Sequence, residues 1–201
     1  MPTQAERTAA ARRRLLDAAT ELIAEQGIAA TSVAQIGARA GMSRGAVNFH
    51  FVSKDALLTA VAEEVTSDWE GQAFGAVPPL EMPMEAALDA FLAHSLRDLT
   101  EEAHRARTMM ILAHESMGAT PLLRSHFVML HRRVRRSVAE LVRQRQQSGQ
   151  VPEKVDPDAF ALMVIAMFRG IVFQYLLDPE DVDLTRAHAA ARDAIIGYLR
   201  S

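Results

Sequence analysis

The sequence predicts an all-α fold with two helical domains. Apolar residues recur at three- to four-residue intervals along the 201 residues, and no run of alternating β-branched residues is long enough for a strand. Glycine and proline cluster between residues 71 and 83, and a capped pair of short helices precedes them at residues 32–51. We therefore expect an N-terminal domain over residues 8–70 and a C-terminal helical domain over residues 71–201.

A helix-turn-helix is predicted at residues 32–51 from its caps and its small residues. Ser32 can cap the first helix, and Gln35 stands at capping-box spacing to reach back to it. Gly41 ends this helix, because glycine tolerates the left-handed backbone that a tight turn requires. The small Gly37 lets the second helix cross closely.

The second helix of this unit runs from Arg44 to about His50, after the N-cap Ser43. Only Val47 and Phe51 are obvious core anchors, so the other side chains can face outward. A short helix of this kind, crossed by another, has the shape that enters the DNA major groove. The sequence therefore predicts an interface with double-stranded DNA.

Several side chains are expected to form that interface. Arg44 can pair with guanine at the N-terminal end of the second helix, and Lys54 can pair with a phosphate. Phe49 is placed over the sugar-phosphate backbone rather than in the core, because Phe51 is the better core candidate. The predicted DNA-binding residues are Ser32, Ser43, Arg44, Gly45, Ala46, Asn48, Phe49, His50 and Lys54.

The order of these motifs over residues 12–68 resembles the N-terminal domain of the tetracycline-repressor (TetR) family of transcriptional regulators. Its aromatic-His-Phe, small-Lys-acid and paired-leucine run is matched by residues 49–51, 53–55 and 57–58, after a helix that stops at Gly27. Asn48 stands where the family commonly has a phosphate-contacting tyrosine, so an amide contact to a phosphate and one to a base both stay open. Beyond residue 68 the resemblance rests on length, helicity and the position of Gly170.

The resemblance implies a homodimeric, ligand-responsive regulator, most often a repressor that a small molecule releases from a palindromic operator. The alternative is an all-α enzyme or small-molecule-binding protein that keeps a vestigial helix-turn-helix as scaffold. An enzyme needs a convergent set of nucleophile, base and oxyanion donors, which this sequence does not display. The identity of the effector and the sequence of the operator are not encoded in any motif of the chain.

Composition and histidine spacing narrow the function classes further. The chain has no cysteine, which fits a reducing cytoplasm. Its net charge is −3, so any affinity for DNA requires locally placed cations. No signal peptide is visible, and no apolar run is expected to reach the ~20 residues of a membrane span, so we expect a soluble cytoplasmic protein without a membrane partner. No two of the seven histidines are three or four residues apart, so no metal site is expected. No Gly-x-Ser-x-Gly elbow, phosphate loop or paired-carboxylate constellation is present, so no catalytic residue is expected, and no cofactor is expected either.

The C-terminal domain is expected to hold an adaptable cavity for a small apolar or amphipathic effector. Methionine repacks around varied shapes, and a few histidines can orient a guest. The alternative is a packed helical core, and both interpretations stay open. The domain's helices are predicted at about 83–100, 102–116, 121–147, 157–177 and 184–200. The predicted ligand-binding residues are Trp69, Phe91, His94, Met109, Met110, His114, Met117, Phe127, His131, Met163 and Met167.

The last two of these helices have apolar residues on more than one face, which predicts a dimer interface. One protomer can cover one face, and glycine and alanine permit close approach in a two-fold four-helix arrangement. The alternative is a fully buried central helix. The predicted interface residues are Phe160, Val164, Met167, Phe168, Gly170, Ile171, Ala191, Ala194 and Ile195.

Overall fold

The structure is a computed structural model that describes residues 3–74, 82–118 and 121–200, without the side chains of residues 68–74 and 98. These ranges contain helices and no strand, which confirms the all-α prediction. The predicted bounds of the last three helices are correct. The helices are α1 Gln4–Ala30, α2 Val33–Arg39, α3 Arg44–His50, α4 Lys54–Phe74, α5 Met84–Glu101, α6 Ala103–Glu115, α7 Pro121–Gln147, α8 Pro157–Leu177 and α9 Leu184–Arg200.

Tertiary contacts divide the chain into two compact units that differ from the predicted domains. Unit 1 comprises Met1–Asp68 and His104–Val128, and unit 2 comprises Trp69–Ala103 and Met129–Ser201. Residues 104–128 therefore pack with the N-terminal helices, a long-range association that local sequence patterns do not encode. The predicted boundary between two domains near residue 70 therefore stays a prediction.

The core of unit 1 is built on the apolar stripe of α1. Leu15, Leu16 and Ile23 are buried there, and each such side chain contributes roughly 1.5–3 kcal/mol when it leaves water. Gly27 interrupts the helix with a φ of 77°, at the residue where the sequence predicts its end, and one further turn follows. Thr108 of α6 donates its hydroxyl to the Thr20 carbonyl at 2.8 Å, so α6 is fixed to α1.

The core of unit 2 lies among α5, α7, α8 and α9, and it corrects the predicted dimer interface. Phe160, Phe168, Ala191 and Ile195 are buried in this cluster of one protomer, so they are unavailable to a partner. Val164, Met167 and Ile171 are half-buried and pack against the same cluster. Periodicity alone cannot tell the inner face of α8 from its outer face, because α8 is apolar on every side, and the same ambiguity applies to Ala191 and Ile195 on α9.

Helix α8 also corrects the expectation that no apolar segment reaches the length of a membrane span. Its 21 residues include a window with mean hydropathy 1.9, long and apolar enough to cross a membrane by length and composition. A core helix of a globular protein meets the same criterion. Phe160, Ala161 and Phe168 of α8 are buried within unit 2.

His131 on α7 makes the stability of unit 2 dependent on pH. Burial first, then Arg169 and Arg135, lower the pKa of its imidazole to about 4. In the unfolded chain this pKa returns to about 6.5, so between pH 6.5 and 4 only the unfolded state binds the proton. The stabilising contribution is therefore complete above pH 6.5 and is lost as the pH falls through 4.

We expect the free energy of unfolding to decrease by up to about 3 kcal/mol between pH 7 and pH 4, with His131 as a main contributor. His188, whose pKa burial also lowers, adds to the same window. Urea denaturation across this range should show a shallower pH dependence for His131→Gln than for the parent. His104→Gln, at an exposed position of α6, is the matched control. Equal pH slopes in the parent and His131→Gln would contradict the assignment.

Candidate nucleic-acid interface and effector region

The start of α2 is fixed by the predicted capping box. The Ser32 hydroxyl accepts from the Gln35 backbone N–H at 3.3 Å, and the Gln35 side-chain oxygen accepts from the Ser32 backbone N–H at 2.8 Å. This reciprocal pair satisfies two N–H groups that the first helical turn leaves without partners. The predicted cap is therefore confirmed, and Ser32 itself is exposed at the end of the helix.

The turn between α2 and α3 depends on two glycines. Gly41 has a φ of 67°, the left-handed conformation that the sequence predicts. A Cβ atom on Gly37 would lie 3.0 Å from the Met42 carbonyl oxygen and 3.2 Å from a methyl group of Val47. The close approach predicted for Gly37 is therefore confirmed, and any larger residue there would push α3 away.

Helix α3 is held by two buried side chains and leaves its other faces in solvent. The Ser43 hydroxyl accepts from the Ala46 backbone N–H at 3.3 Å, which confirms this residue as the N-cap. Val47 and Phe51 are buried as predicted, and the Arg12 guanidinium lies 5.3 Å from the centre of the Phe51 ring. Seven residues thus form a short helix with a rigid inner anchor.

The predicted DNA-contact residues lie mainly on the outer side of α3. Arg44, Gly45 and Asn48 are exposed, whereas Ala46 and His50 are half-buried. Arg44 makes no hydrogen bond or ion pair with any part of the chain that the structure describes. Its guanidinium is therefore available to a ligand outside the protein.

Phe49 is the most prominent aromatic side chain on this surface. It is 79% exposed, whereas Phe51 is 7% exposed, so Phe51 is the core residue of the pair. The Phe49 ring packs edge-on against the His50 ring, with 5.3 Å between the ring centres. An exposed phenyl ring beside an imidazole suits contact with sugar and phosphate, and that role stays a prediction.

Lys54 has an internal partner that the sequence does not reveal. Its ammonium donates to the Ile28 carbonyl at 2.8 Å, 26 residues away, and joins the first turn of α4 to the end of α1. The residue is half-buried. Lys54 therefore positions α4, and the predicted phosphate contact remains to be tested beside this structural role.

We expect Lys54→Ala to lower the free energy of unfolding by about 1.5–3 kcal/mol, because it leaves the Ile28 carbonyl without its charged donor. Chemical denaturation measures this loss. The other lysine of the chain, Lys154, is exposed, and Lys154→Ala is the matched control. Equal stability of the two variants would show that the hydrogen bond contributes nothing.

Arg39 joins α2 to α1 through ion pairs that no sequence motif indicates. Its guanidinium bridges from α2 to two carboxylates of α1, 3.0 Å from Glu21 and 2.8 Å from Glu25. The hydrogen bonds that Arg39 donates to Glu25 and Glu21 raise the pKa of Arg39, and the bonds to Glu25 lower the pKa of that carboxyl. Two ion pairs thus hold α2 against α1, so Arg39 helps to orient the helix-turn-helix.

Both parts of the chain match family models. Residues 15–61 match the model described as "Bacterial regulatory proteins, tetR family", and residues 83–200 match "BetI-type transcriptional repressor, C-terminal". The chain belongs to the TetR family. This TetR-family protein is therefore a DNA-binding transcriptional regulator, and the interpretation as a regulator is favoured over that as an enzyme with a vestigial helix-turn-helix.

Individual relatives extend over nearly the whole regulator. UidR of Escherichia coli K12 is 28% identical over 200 residues, covering 98% of this chain and 95% of UidR. TtgR of Pseudomonas putida is 25% identical over 179 residues, covering 86% and 83%. The solved complex of SmeT with triclosan has a TM-score of 0.77 and 29% identity, covering 94% of this chain and 91% of SmeT, a repressor from Stenotrophomonas maltophilia.

The predicted ligand-binding residues of this TetR-family regulator are divided between the two units. Phe91, Met163 and Met167 pack against the core of unit 2, and His94 and His131 also belong to this unit. The side chain of Trp69 lies outside the described residues. Five others belong to unit 1, where Phe127 and Met110 are core residues and Met117 is exposed; the five are Met109, Met110, His114, Met117 and Phe127.

Two further observations concern possible binding sites. A cavity of about 340 Å³ in unit 2 is lined in part by Met84, Val151 and Leu199, and by none of the predicted ligand-binding residues. Among the side chains that the structure describes, no three histidine, aspartate or glutamate residues come together as a metal ion would require.

An apolar stripe of α8 faces away from the core of unit 2. Leu162, Phe173 and Leu177 are exposed large apolar residues on one side of the helix, and Gly170 lies on the same side. Ala194 and Tyr198 are exposed on α9. Of the nine predicted interface residues, only Gly170 and Ala194 are exposed in this way.

Proposed function

We propose that this regulator is a homodimeric repressor that binds a palindromic operator through α2 and α3, and that a small apolar or amphipathic effector releases it. The proposal is carried by α3, which is anchored by Val47 and presents Arg44 at its N-terminal end, without a partner among the described residues. The relatives named above are transcriptional regulators, so we propose no catalytic activity. We further propose that the protein acts in the cytoplasm.

In the proposed complex, α3 enters the major groove. Arg44 pairs with a base, Gly45 permits close backbone approach, and Asn48 contacts a phosphate or a base. Phe49 and His50 lie along the sugar-phosphate backbone. Ser32 and Ser43 present the N-terminal ends of α2 and α3, where exposed N–H groups attract phosphate.

The proposed dimer interface is the exposed stripe of α8 together with α9. Leu162, Phe173 and Leu177 supply its apolar area, and the small Gly170 and Ala194 permit close helix approach. Two-fold symmetry then places two copies of α3 about one turn of DNA apart, roughly 34–36 Å. A palindromic operator is the consequence of that symmetry.

We propose that the effector binds within unit 2, where methionine and aromatic side chains surround the core. SmeT, solved in complex with triclosan, supports an apolar small molecule as the ligand class. An effector that binds the free conformation better than the DNA-bound one by about 2.7 kcal/mol weakens operator binding roughly a hundredfold.

Selection of genomic fragments by the purified protein tests the proposal. The recovered sequences should share an inverted repeat, and an effector should lower operator affinity by the same factor by which the operator lowers effector affinity. Recovery of no common repeat would refute the operator. Equal effector affinity with and without saturating operator would refute the release mechanism.

A further inference from the structure

His188 of α9 is a buried polar group with unmet hydrogen-bonding capacity. Its side chain is 5% exposed, and neither ring nitrogen has a hydrogen-bond partner in the part of the chain that the structure describes. The ring lies 6.1 Å from Phe168, which in turn packs edge-on against Phe91 at 5.0 Å. The imidazole therefore lies against the aromatic part of the unit 2 core.

A buried imidazole without a partner is unfavourable for folding. It loses its hydrogen bonds to water and gains none in return, and native structures contain few such groups. Arg192, one turn further along α9, is paired with Asp89 of α5 and does not relieve this loss. A phenylalanine at position 188 would fill a similar volume without the unmet polar atoms. Because no described residue pairs with His188, its two ring nitrogens have capacity for hydrogen bonds to a bound ligand.

We propose that His188 is the hydrogen-bonding residue of the effector site, and that the effector is an uncharged aromatic molecule with a hydroxyl group. This inference rests on the proposed function, in which an effector binds within unit 2. It adds a specificity-determining residue that no sequence pattern identifies, because a lone histidine on an apolar helix face has no motif.

The chemistry of the surroundings defines this ligand class. Burial lowers the pKa of His188, so its imidazole is neutral and offers one donor and one acceptor. A hydroxyl group can satisfy either. A carboxylate would need a cation, and the neighbouring Arg192 is already paired with Asp89. The Phe91 and Phe168 rings favour an aromatic body.

Room for such a ligand can come from the side chains around the same core. Met163 and Met167 are half-buried on α8 and pack against the cluster that contains Phe168. Their unbranched thioethers can adopt other rotamers at little cost. The effector would thus replace methionine contacts and give His188 its missing hydrogen bond.

The test uses the full-length dimer and matched pairs of phenols and their O-methyl ethers, including triclosan and its O-methyl ether. Calorimetry measures the affinity of the protein for each ligand. The fluorescence anisotropy of labelled operator DNA measures release of the protein from the operator. We expect the parent to bind the phenols about 10- to 100-fold more tightly than the ethers. His188→Phe should lose this preference, and His188→Gln, which keeps a donor and an acceptor, should retain much of it.

Thermal denaturation without ligand separates this role from a structural one. Removal of unmet polar atoms should raise the melting temperature of His188→Phe by about 2 °C or more. Destabilisation by both His188→Phe and His188→Leu would overturn the inference. Equal affinity of the parent for phenols and ethers, no binding of any phenol, or an unchanged preference in His188→Phe would also overturn it. Release of the parent by phenols and ethers alike would refute the role of His188 and leave the proposed repressor intact.

Discussion

Leu162→Arg is expected to convert the dimer into a monomer and to lower operator affinity by about 100-fold or more, because one subunit then engages only one half-site at a time. Leu162 is 56% exposed within the apolar stripe of α8. A guanidinium there would be buried against the partner without a counter-charge, at a cost of several kcal/mol. Sedimentation measures the assembly, and a gel shift on the selected operator measures the affinity.

Leu122→Arg provides the matched control, because it makes the same change at an exposed leucine of α7 that belongs to unit 1 and is not a residue of this stripe. It should remain dimeric. A charged residue on α9, as in Ala191→Glu, is unsuitable as a test of the interface. Ala191 is buried in the core of one protomer, and its substitution would destabilise unit 2. An intact dimer in both Leu162→Arg and Phe173→Arg would place the interface on another surface.

Arg44→Ala is expected to lower specific operator affinity by about 1–3 kcal/mol for each half-site, hence about 2–6 kcal/mol for the dimer. The guanidinium heads α3 and has no partner within the described part of the protein, so its removal leaves the fold intact. Binding to the operator and to random DNA should be titrated at the same salt concentration, and the base preference of each half-site should relax.

Arg136→Ala is the control for the loss of one positive charge in Arg44→Ala. Arg136 is an exposed arginine of α7 in unit 2, remote in sequence from the helix-turn-helix. It should leave specific and random binding unchanged. If Arg44→Ala weakens operator and random DNA by the same factor, the side chain contacts phosphate and does not recognise a base.

The DNA-reading element is the part of the fold that the sequence predicts in most detail. Its structure depends on short-range relations, such as Ser32 with Gln35 three positions away, Gly41 at the turn, and the separation of Val47 from Phe51. These relations connect residues within one or two helical turns, where capping and backbone preferences act. The bounds of α3 follow from them.

Long-range relations could not be predicted in the same way. The bond from Lys54 to the Ile28 carbonyl and the bridge from Arg39 to α1 join residues 14 to 26 positions apart. Which side of α8 forms the core depends on packing against other helices, so Phe160 and Phe168 were assigned to the wrong face. The unmet hydrogen bonds of His188 become visible only when its surroundings are known.

The two bridges to α1 have a mechanical consequence. Arg39 fastens α2 to the part of α1 that precedes Gly27, and Lys54 fastens the first turn of α4 to the single turn that follows it. We therefore expect the turn after Gly27 to move together with the first turn of α4, while α2 stays attached to the longer part of α1. Gly27 is then the residue at which α1 can bend between the two attachments.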